Sequence, residues 1–262
     1  MHAEEIRVDV ALARSLLAEQ FPQFVDRPVT LVRSTGTVNA LYRLGDDLCI
    51  RLTRVPEWAE GLARERVWLP VLAPHLTLAI PAPVAYGRPT AAYPYPWAIY
   101  RWLDGQPYAD DLVRDERQAA LDLTQFIREL RRIDTAGAPR GGRAPVVELD
   151  AMTRSAMERC GGLIDAEAVS AVWSRALALP PWHGQPMWIH GDLLRPNLLI
   201  REGRLSAVLD FGGVGVGDPA FDVIPAWSVF NPAGRAAFRA ALGVEDDTWQ
   251  RARAYALHQA LL

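Results

Sequence analysis

The chain has 262 residues, of which 50% are apolar and 23% charged, and a formal net charge of -3. That apolar fraction fills a sizeable core and excludes a disordered, collagenous or coiled-coil chain. With no basic surplus to meet a phosphate backbone or an anionic lipid surface, neither nucleic acid nor membrane is an expected partner. All 28 cationic side chains are arginine; there is no lysine. Cys49 and Cys160 lie far apart, which argues against a disulfide framework and for a reducing compartment. The first residues lack the basic start and apolar run of a signal peptide, and the best apolar run, Leu76–Tyr86, is broken by Pro81 and Pro83. A cytoplasmic location is the expectation, and oligomeric state is not legible.

Apolar residues at helical spacing (Val8, Leu12, Leu16) predict an opening helix over Val8–Gln20. Three extended pieces follow, Val29–Val32, Val38–Leu44 and Leu48–Thr53, the last two joined by the turn Gly45-Asp46-Asp47. A helix is expected from about Glu57 to Ala73, then a proline-rich stretch, then a strand over Trp97–Trp102. Composition shifts at the Asp104-Gly105 turn. Beyond it, Asp115–Ile133 has strong helical periodicity, and Thr135–Pro145, rich in Gly, Pro and Arg, reads as a mobile loop. Helices are expected near Asp150–Cys160 and Ala166–Leu177, two short strands over Leu198–Ile200 and Leu205–Leu209, and mostly helix from Asp218 onward, interrupted at Pro225 and Pro232. The expected architecture is a small mixed lobe over residues 1–101 and a larger helical lobe over 102–262, sharing a cleft.

The chemistry concentrates between Trp188 and Asp222. His190-Gly191-Asp192 follows an apolar strand-like piece, so the Asp192 carboxylate points out of a tight turn. Asn197 opens a strand a few residues on, and Asp210 ends the partner strand of the hairpin. Two oxygen ligands on adjacent strand ends suit Mg2+, which keeps most of its shell as water and substrate phosphate. A further carboxylate is placed to take the proton of an incoming hydroxyl. Those are the parts of a phosphoryl-transfer site.

These blocks, His190-Gly191-Asp192 with Asn197, Asp210-Phe211-Gly212, and Gly217-Asp218-Pro219-Ala220-Phe221-Asp222, occur in order. They resemble the catalytic and metal-binding loops of the aminoglycoside phosphotransferase family, relatives of the protein kinases with His-Gly-Asp in place of His-Arg-Asp. The resemblance implies a protein-kinase-like α+β fold, with a small antiparallel-sheet N-lobe and a larger, mainly helical C-lobe. It also implies an ATP-dependent small-molecule kinase, with Asp192 as the base, Asn197 and Asp210 holding Mg2+, and His190 as a structural residue. Asp218 and Asp222 read as helix-capping and loop-anchoring residues. Arg195 is as consistent with a solvated side chain as with a functional one.

The N-terminal half carries the same resemblance. Gly36-Thr37-Val38-Asn39 is similar to the family's loop over the nucleotide phosphates, which Thr37 would touch. Arg51 occupies the strand position where a kinase has its phosphate-pairing lysine, and Glu65 the helix position that holds this cation. Arg keeps the charge but is longer and more demanding in geometry than Lys. Trp97–Gly105 resembles the hinge, where the Arg101 carbonyl and the Leu103 amide would read the purine edge and Tyr100 would line the pocket. Trp97 and Trp102 read as ordinary strand core.

The acceptor is then a small-molecule hydroxyl: an aminoglycoside or related antibiotic, an amino alcohol, or a sugar- or nucleoside-like metabolite. Acidic residues of the helical half (Glu148, Asp150, Glu158, Asp165, Glu167, Glu245, Asp246, Asp247) would suit a cationic one, although a solvated acidic face explains them equally. The alternative is a non-catalytic nucleotide-binding scaffold, which Arg51 alone favours. A protein kinase is disfavoured, because no activation segment ending in Ala-Pro-Glu follows Asp210.

Overall fold

The computed structural model describes residues 8–32, 39–55, 59–185 and 187–262. Thr37 and its loop lie outside the described residues. The chain forms two compact units: one runs to Gln106 and takes in Ala207–Gly212, and the other holds Pro107–Ser206 and Gly213–Leu262.

In the first unit, α1 (Val10–Gln20) is capped by Asp9, whose carboxylate accepts from the Leu12 amide at 2.9 Å. The strands β1 (Val29–Val32), β2 (Asn39–Leu44) and β3 (Leu48–Thr53) follow as expected, then α2 (Ala59–Leu72), β4 (Pro83–Gly87) and β5 (Trp97–Arg101). They form an antiparallel sheet in the order β1-β2-β3-β5-β4. The proline-rich stretch thus contains a strand that its composition concealed. It lies at the sheet edge, where a proline costs no ladder bond.

Alternation along the strands decides which face each residue serves. Ala40, Tyr42 and Leu44 of β2, Leu48, Ile50 and Leu52 of β3, and Trp97 and Ile99 of β5 join Ala13, Leu16 and Leu17 of α1 in one buried cluster. Arg51 and Tyr100 fall between these positions, so they share the opposite face.

The sequence reading ended the first lobe at residue 101 and left Asp210 with the helical lobe. In the structure the division falls after Gln106, and Asp210 belongs to the first unit. Two contacts account for this. The Trp102 amide still donates to the Asp47 carbonyl at 2.8 Å, and the Val208 amide donates to the Ala79 carbonyl at 2.9 Å beside the parallel bridge Ala79–Ala207.

The short β6 (Gln106–Pro107) spans the division, after which α3 (Glu116–Arg131), capped by Asp115, packs on α7 (Pro232–Leu242). Around them lie α4 (Asp150–Cys160), α5 (Ala166–Leu177), the four-residue α6 (Pro225–Ser228) and α8 (Asp246–Leu261), which contacts the other three. Pro225 and Pro232 start helices rather than merely interrupting them, since a proline at the first position lacks an amide the helix does not need. The strands β7 (Trp188–Ile189) and β10 (Gly215–Val216) pair antiparallel. Between them run β8 (Leu198–Arg201) and β9 (Arg204–Val208), joined through Glu202 and Gly203, both at positive φ.

The segment read as a mobile loop is pinned. The Gly141 amide donates to the Val216 carbonyl at 2.9 Å, and the Val216 amide to the Pro139 carbonyl at 2.8 Å. Among the described residues, no helix is long and apolar enough to cross a membrane.

Candidate active site

In the first unit, Arg51 donates from Nη1 to Glu65 Oε1 at 2.7 Å and from Nη2 to Asp210 Oδ1 at 3.4 Å. Glu65 is fully buried, and its second oxygen accepts from the Tyr100 hydroxyl. Burial alone would lower the Arg51 pKa, but the carboxylates of Glu65 and Asp210 together raise it, so the guanidinium is firmly charged. Burial and Glu65 push the Tyr100 phenol far up, which keeps its proton for that hydrogen bond. The pairing follows from the strand period, which turns Arg51 toward α2 while α1 covers the other face.

Asp210 sits in the left-handed region (φ 63°) and opens the 3-10 turn Phe211–Gly213. The turn lies close against α2: a Cβ on Gly61 would come within 3.2 Å of the Gly212 Cα, so a side chain there would push the turn back by a few tenths of an ångström. The Asp210 side chain is 44% exposed, and its Oδ2 has no partner among the described residues. At the expected hinge, the Arg101 amide donates to the Ala82 carbonyl at 2.8 Å. The ladder then ends, leaving the Leu103 amide without a described partner. Trp97 is buried in the core, and Trp102 carries the Arg43 guanidinium over its ring at 4.0 Å.

The second unit holds the loop of Asp192. Asn197 Nδ2 donates to the Asp192 carbonyl at 2.9 Å and to its Oδ2 at 2.8 Å, which leaves the Asn197 Oδ1 without a described partner. The Asp192 amide donates to His190 Nδ1 at 3.2 Å, and His190 is buried, consistent with the structural role expected of it. Gly191 takes φ 81°, a conformation open to glycine, and turns the chain so that Asp192 emerges one-third exposed (34%). A carboxylate so held and still open to solvent is fit to accept a proton from a hydroxyl.

Asp222 takes the loop-anchoring role read for it, whereas another residue of this unit, Arg143, was missed from the sequence. Asp222, fully buried, accepts from the His190 amide at 3.0 Å and from the Gly191 amide at 2.8 Å. It holds the Asp192 loop rather than capping a helix; Asp218 does the capping, accepting from the Ala220 amide at 2.9 Å. Burial pushes the Asp222 carboxyl above the usual carboxylate range, against the opposing pull of the Gly191 amide, His190 and Arg131. Arg143, the residue missed, donates to Asp192 Oδ1 at 3.2 Å. Composition marked its segment only as a loop. Arg195 is structural: it pairs with Asp110 at 2.7 Å, donates to the Val229 carbonyl at 2.7 Å, and lies over the Tyr108 ring.

Residues 31–255 match the profile of the phosphotransferase enzyme family. The chain belongs to this family. An aminoglycoside 3'-phosphotransferase of Escherichia coli is 30% identical over 232 residues, covering 79% of this chain and 80% of that protein. Among solved structures, the GDP and kanamycin complex of APH(2")-IIia superposes with a TM-score of 0.78 at 21% identity, over 95% of this chain and 89% of that one. The macrolide 2'-phosphotransferase MphH of Brachybacterium faecium superposes with a TM-score of 0.64 at 23% identity, over 94% and 88%. These likenesses show the fold, which is the α+β kinase-like fold the motifs implied. The family makes this chain a phosphotransferase acting on small molecules.

Proposed function

We propose that the protein transfers the γ-phosphoryl group of ATP to a hydroxyl of a small molecule. The acceptor oxygen forms the new bond to phosphorus as the bond between phosphorus and the β–γ bridging oxygen breaks; ADP leaves, and the hydroxyl proton passes to Asp192. Asn197 orients that carboxylate, and Asp222 fixes the loop through the backbone of His190 and Gly191. Arg51, backed by Glu65, faces the nucleotide phosphates, with Thr37 contributing from its loop. The Arg101 carbonyl and the Leu103 amide take the purine edge.

Asn197 and Asp210 fit a magnesium ion: each has one oxygen that no described residue uses, one neutral and one charged, the hard donors that Mg2+ takes in ones and twos. Bound there, Mg2+ would neutralise charge on the β- and γ-phosphates. The reaction suits the cytoplasm, where ATP is abundant.

The observation that carries this reading is the Arg51–Glu65 pair at 2.7 Å. The same arginine was the one feature favouring a non-catalytic scaffold, and its engagement by a buried helix carboxylate supports a working phosphate site instead. The test is a coupled ATP-turnover screen over aminoglycosides, macrolides, amino alcohols and hydroxy acids, with Asp192→Asn as the control. Acceptor-dependent ADP release that disappears in the control supports the proposal. Mg-ATP binding without turnover on any compound would favour the non-catalytic scaffold instead.

A further inference from the structure

The second unit contains a cavity of about 680 Å³, within the roughly 300–1,000 Å³ usual for small-molecule sites. One wall is α5, through Val169 and Val172; another is α8, through Arg253, Ala256 and Leu257, whose spacing puts them on one helix face. Leu194, two residues after Asp192, and Trp227 complete an apolar lining. Arg143 also lines it, and donates to Asp192 at 3.2 Å, so the cavity opens beside the proposed base.

Its charge is the informative feature. No described residue lining it is acidic. The eight acidic residues that would suit a cationic acceptor lie elsewhere. Several have other work: Asp150 holds Arg154 at 2.8 Å and the Trp173 indole at 2.7 Å, Asp165 caps α5, and Asp246 holds Arg239 at 2.6 Å. Two arginines face the cavity. Arg143 spends one donor on Asp192 and, with the Gln259 amide oxygen turned toward it, another at 2.7 Å on that neutral group. Arg253 pairs with no carboxylate among the described residues. Among side chains, two guanidinium groups stand against the single carboxylate of Asp192, and Arg253 is the one that meets no acidic side chain.

We infer that the acceptor is a hydroxyl compound bearing an anionic group, carboxylate or phosphate, on an apolar body, and that Arg253 is the residue selecting it. The anion is held by Arg253, the body lies against Val169, Val172, Trp227 and Leu257, and the hydroxyl reaches Asp192 beside Arg143. A polycation would bring its charge against both arginines with no acidic side chain but Asp192 to receive it. This inference rests on the kinase reading and narrows its acceptor.

The test uses the full chain, Mg-ATP, and five acceptors: ω-hydroxydecanoate, ω-hydroxydecyl phosphate, methyl ω-hydroxydecanoate, ω-aminodecanol and kanamycin. ADP release gives kcat/KM for each, and calorimetry gives Mg-ATP binding. At least one anionic probe should exceed the ester by about ten- to a hundredfold, the ratio that one charge-assisted hydrogen bond commands. The decanoate and phosphate arms tell which anion is read. Arg253→Ala should raise KM for the anionic probe by about tenfold and leave the ester unchanged, and Arg253→Glu should favour ω-aminodecanol. Higher kcat/KM for ω-aminodecanol or kanamycin in the parent overturns the inference and leaves the kinase reading standing. So does Mg-ATP binding with no anionic probe accepted, or an equal effect of Arg253→Ala on ester and anion. Failure of the parent to bind Mg-ATP refutes the kinase reading, and this inference with it.

Discussion

Arg51 holds Asp210 with the same guanidinium that it sets against Glu65, at 3.4 Å and 2.7 Å. A lysine ammonium is a point charge on a single stem and has no planar fork to divide between the two carboxylates. Arginine at this position therefore ties the proposed metal ligand to the strand as well as to the helix carboxylate.

The first prediction follows from that fork. Arg51→Ala should weaken Mg-ATP binding by roughly ten- to a hundredfold, since a hydrogen bond to a charged group contributes on the order of 1.5–3 kcal/mol. Arg51→Lys should recover most of the binding through Glu65 but release Asp210, and so require more magnesium for half-maximal turnover. Magnesium titrations at fixed ATP check this; a requirement unchanged in the lysine variant would show that the Asp210 contact has no role in the reaction.

Asp192 and Asp210 should fail in different ways. Asp192→Asn should lower turnover by about 10²–10⁴, the usual contribution of a general base, with Mg-ATP affinity nearly intact. Asp210→Asn should weaken ATP binding in magnesium much more than in its absence. Calorimetry with and without the metal separates them, and equal losses for Asp210→Asn in both conditions would remove Asp210 from the metal site.

Asp222 is a positioning residue, and its loss should move the Asp192 loop before it moves the nucleotide. Asp222→Ala leaves the buried amides of His190 and Gly191 without acceptors, at a cost of about 1–3 kcal/mol each. Asp222→Asn keeps one acceptor oxygen and should be milder. The expected signature is a fall in kcat at little-changed KM for ATP, with the asparagine variant between parent and alanine. A melting temperature lowered with kcat intact would confine Asp222 to stability.

His258 is buried and its Nδ1 lies 2.8 Å from Thr153 Oγ1, whose own proton goes to the Leu149 carbonyl at 2.7 Å. Nδ1–H must therefore donate, and burial, with the Arg143 charge, lowers the pKa below the ordinary imidazole value of 6.5. The neutral form is favoured by the fold. Its stability contribution is complete above the unfolded value and declines as pH falls below about 6.5, where only the unfolded chain takes up the proton. His258→Asn should flatten the dependence of melting temperature on pH between about 7 and 5; parallel curves would assign the slope to another group.

Most strands and helices were legible because their signals are local. The alternation in β3 and the periodicity of α3 each fit within a few turns of chain, as do the cap residues Asp9 and Asp115. β4 escaped because proline is a strand breaker everywhere except at an edge, and edge position is a property of the assembled sheet. The segment ending at Pro145 was misread for a related reason: glycine and proline mark irregular backbone, and irregular backbone can still be pinned by contacts distant in sequence.

The sequence by itself determined the chemical inventory: the ordered blocks around His190-Gly191-Asp192 and Asp210-Phe211-Gly212, the arginine at position 51, and with them the family. Each block is a short run whose residue types are tied to one task, so it survives without neighbours. Only the tertiary structure decided how the charges are spent. Arg51 and Asp210 meet across 159 residues, Arg143 and Asp192 across 49, and Asp222 reaches back 31 residues to hold the Gly191 amide. An ion pair or a buried hydrogen bond depends on distance in space, and chain order does not encode that distance until the sheet, the helices and the turns have placed both partners.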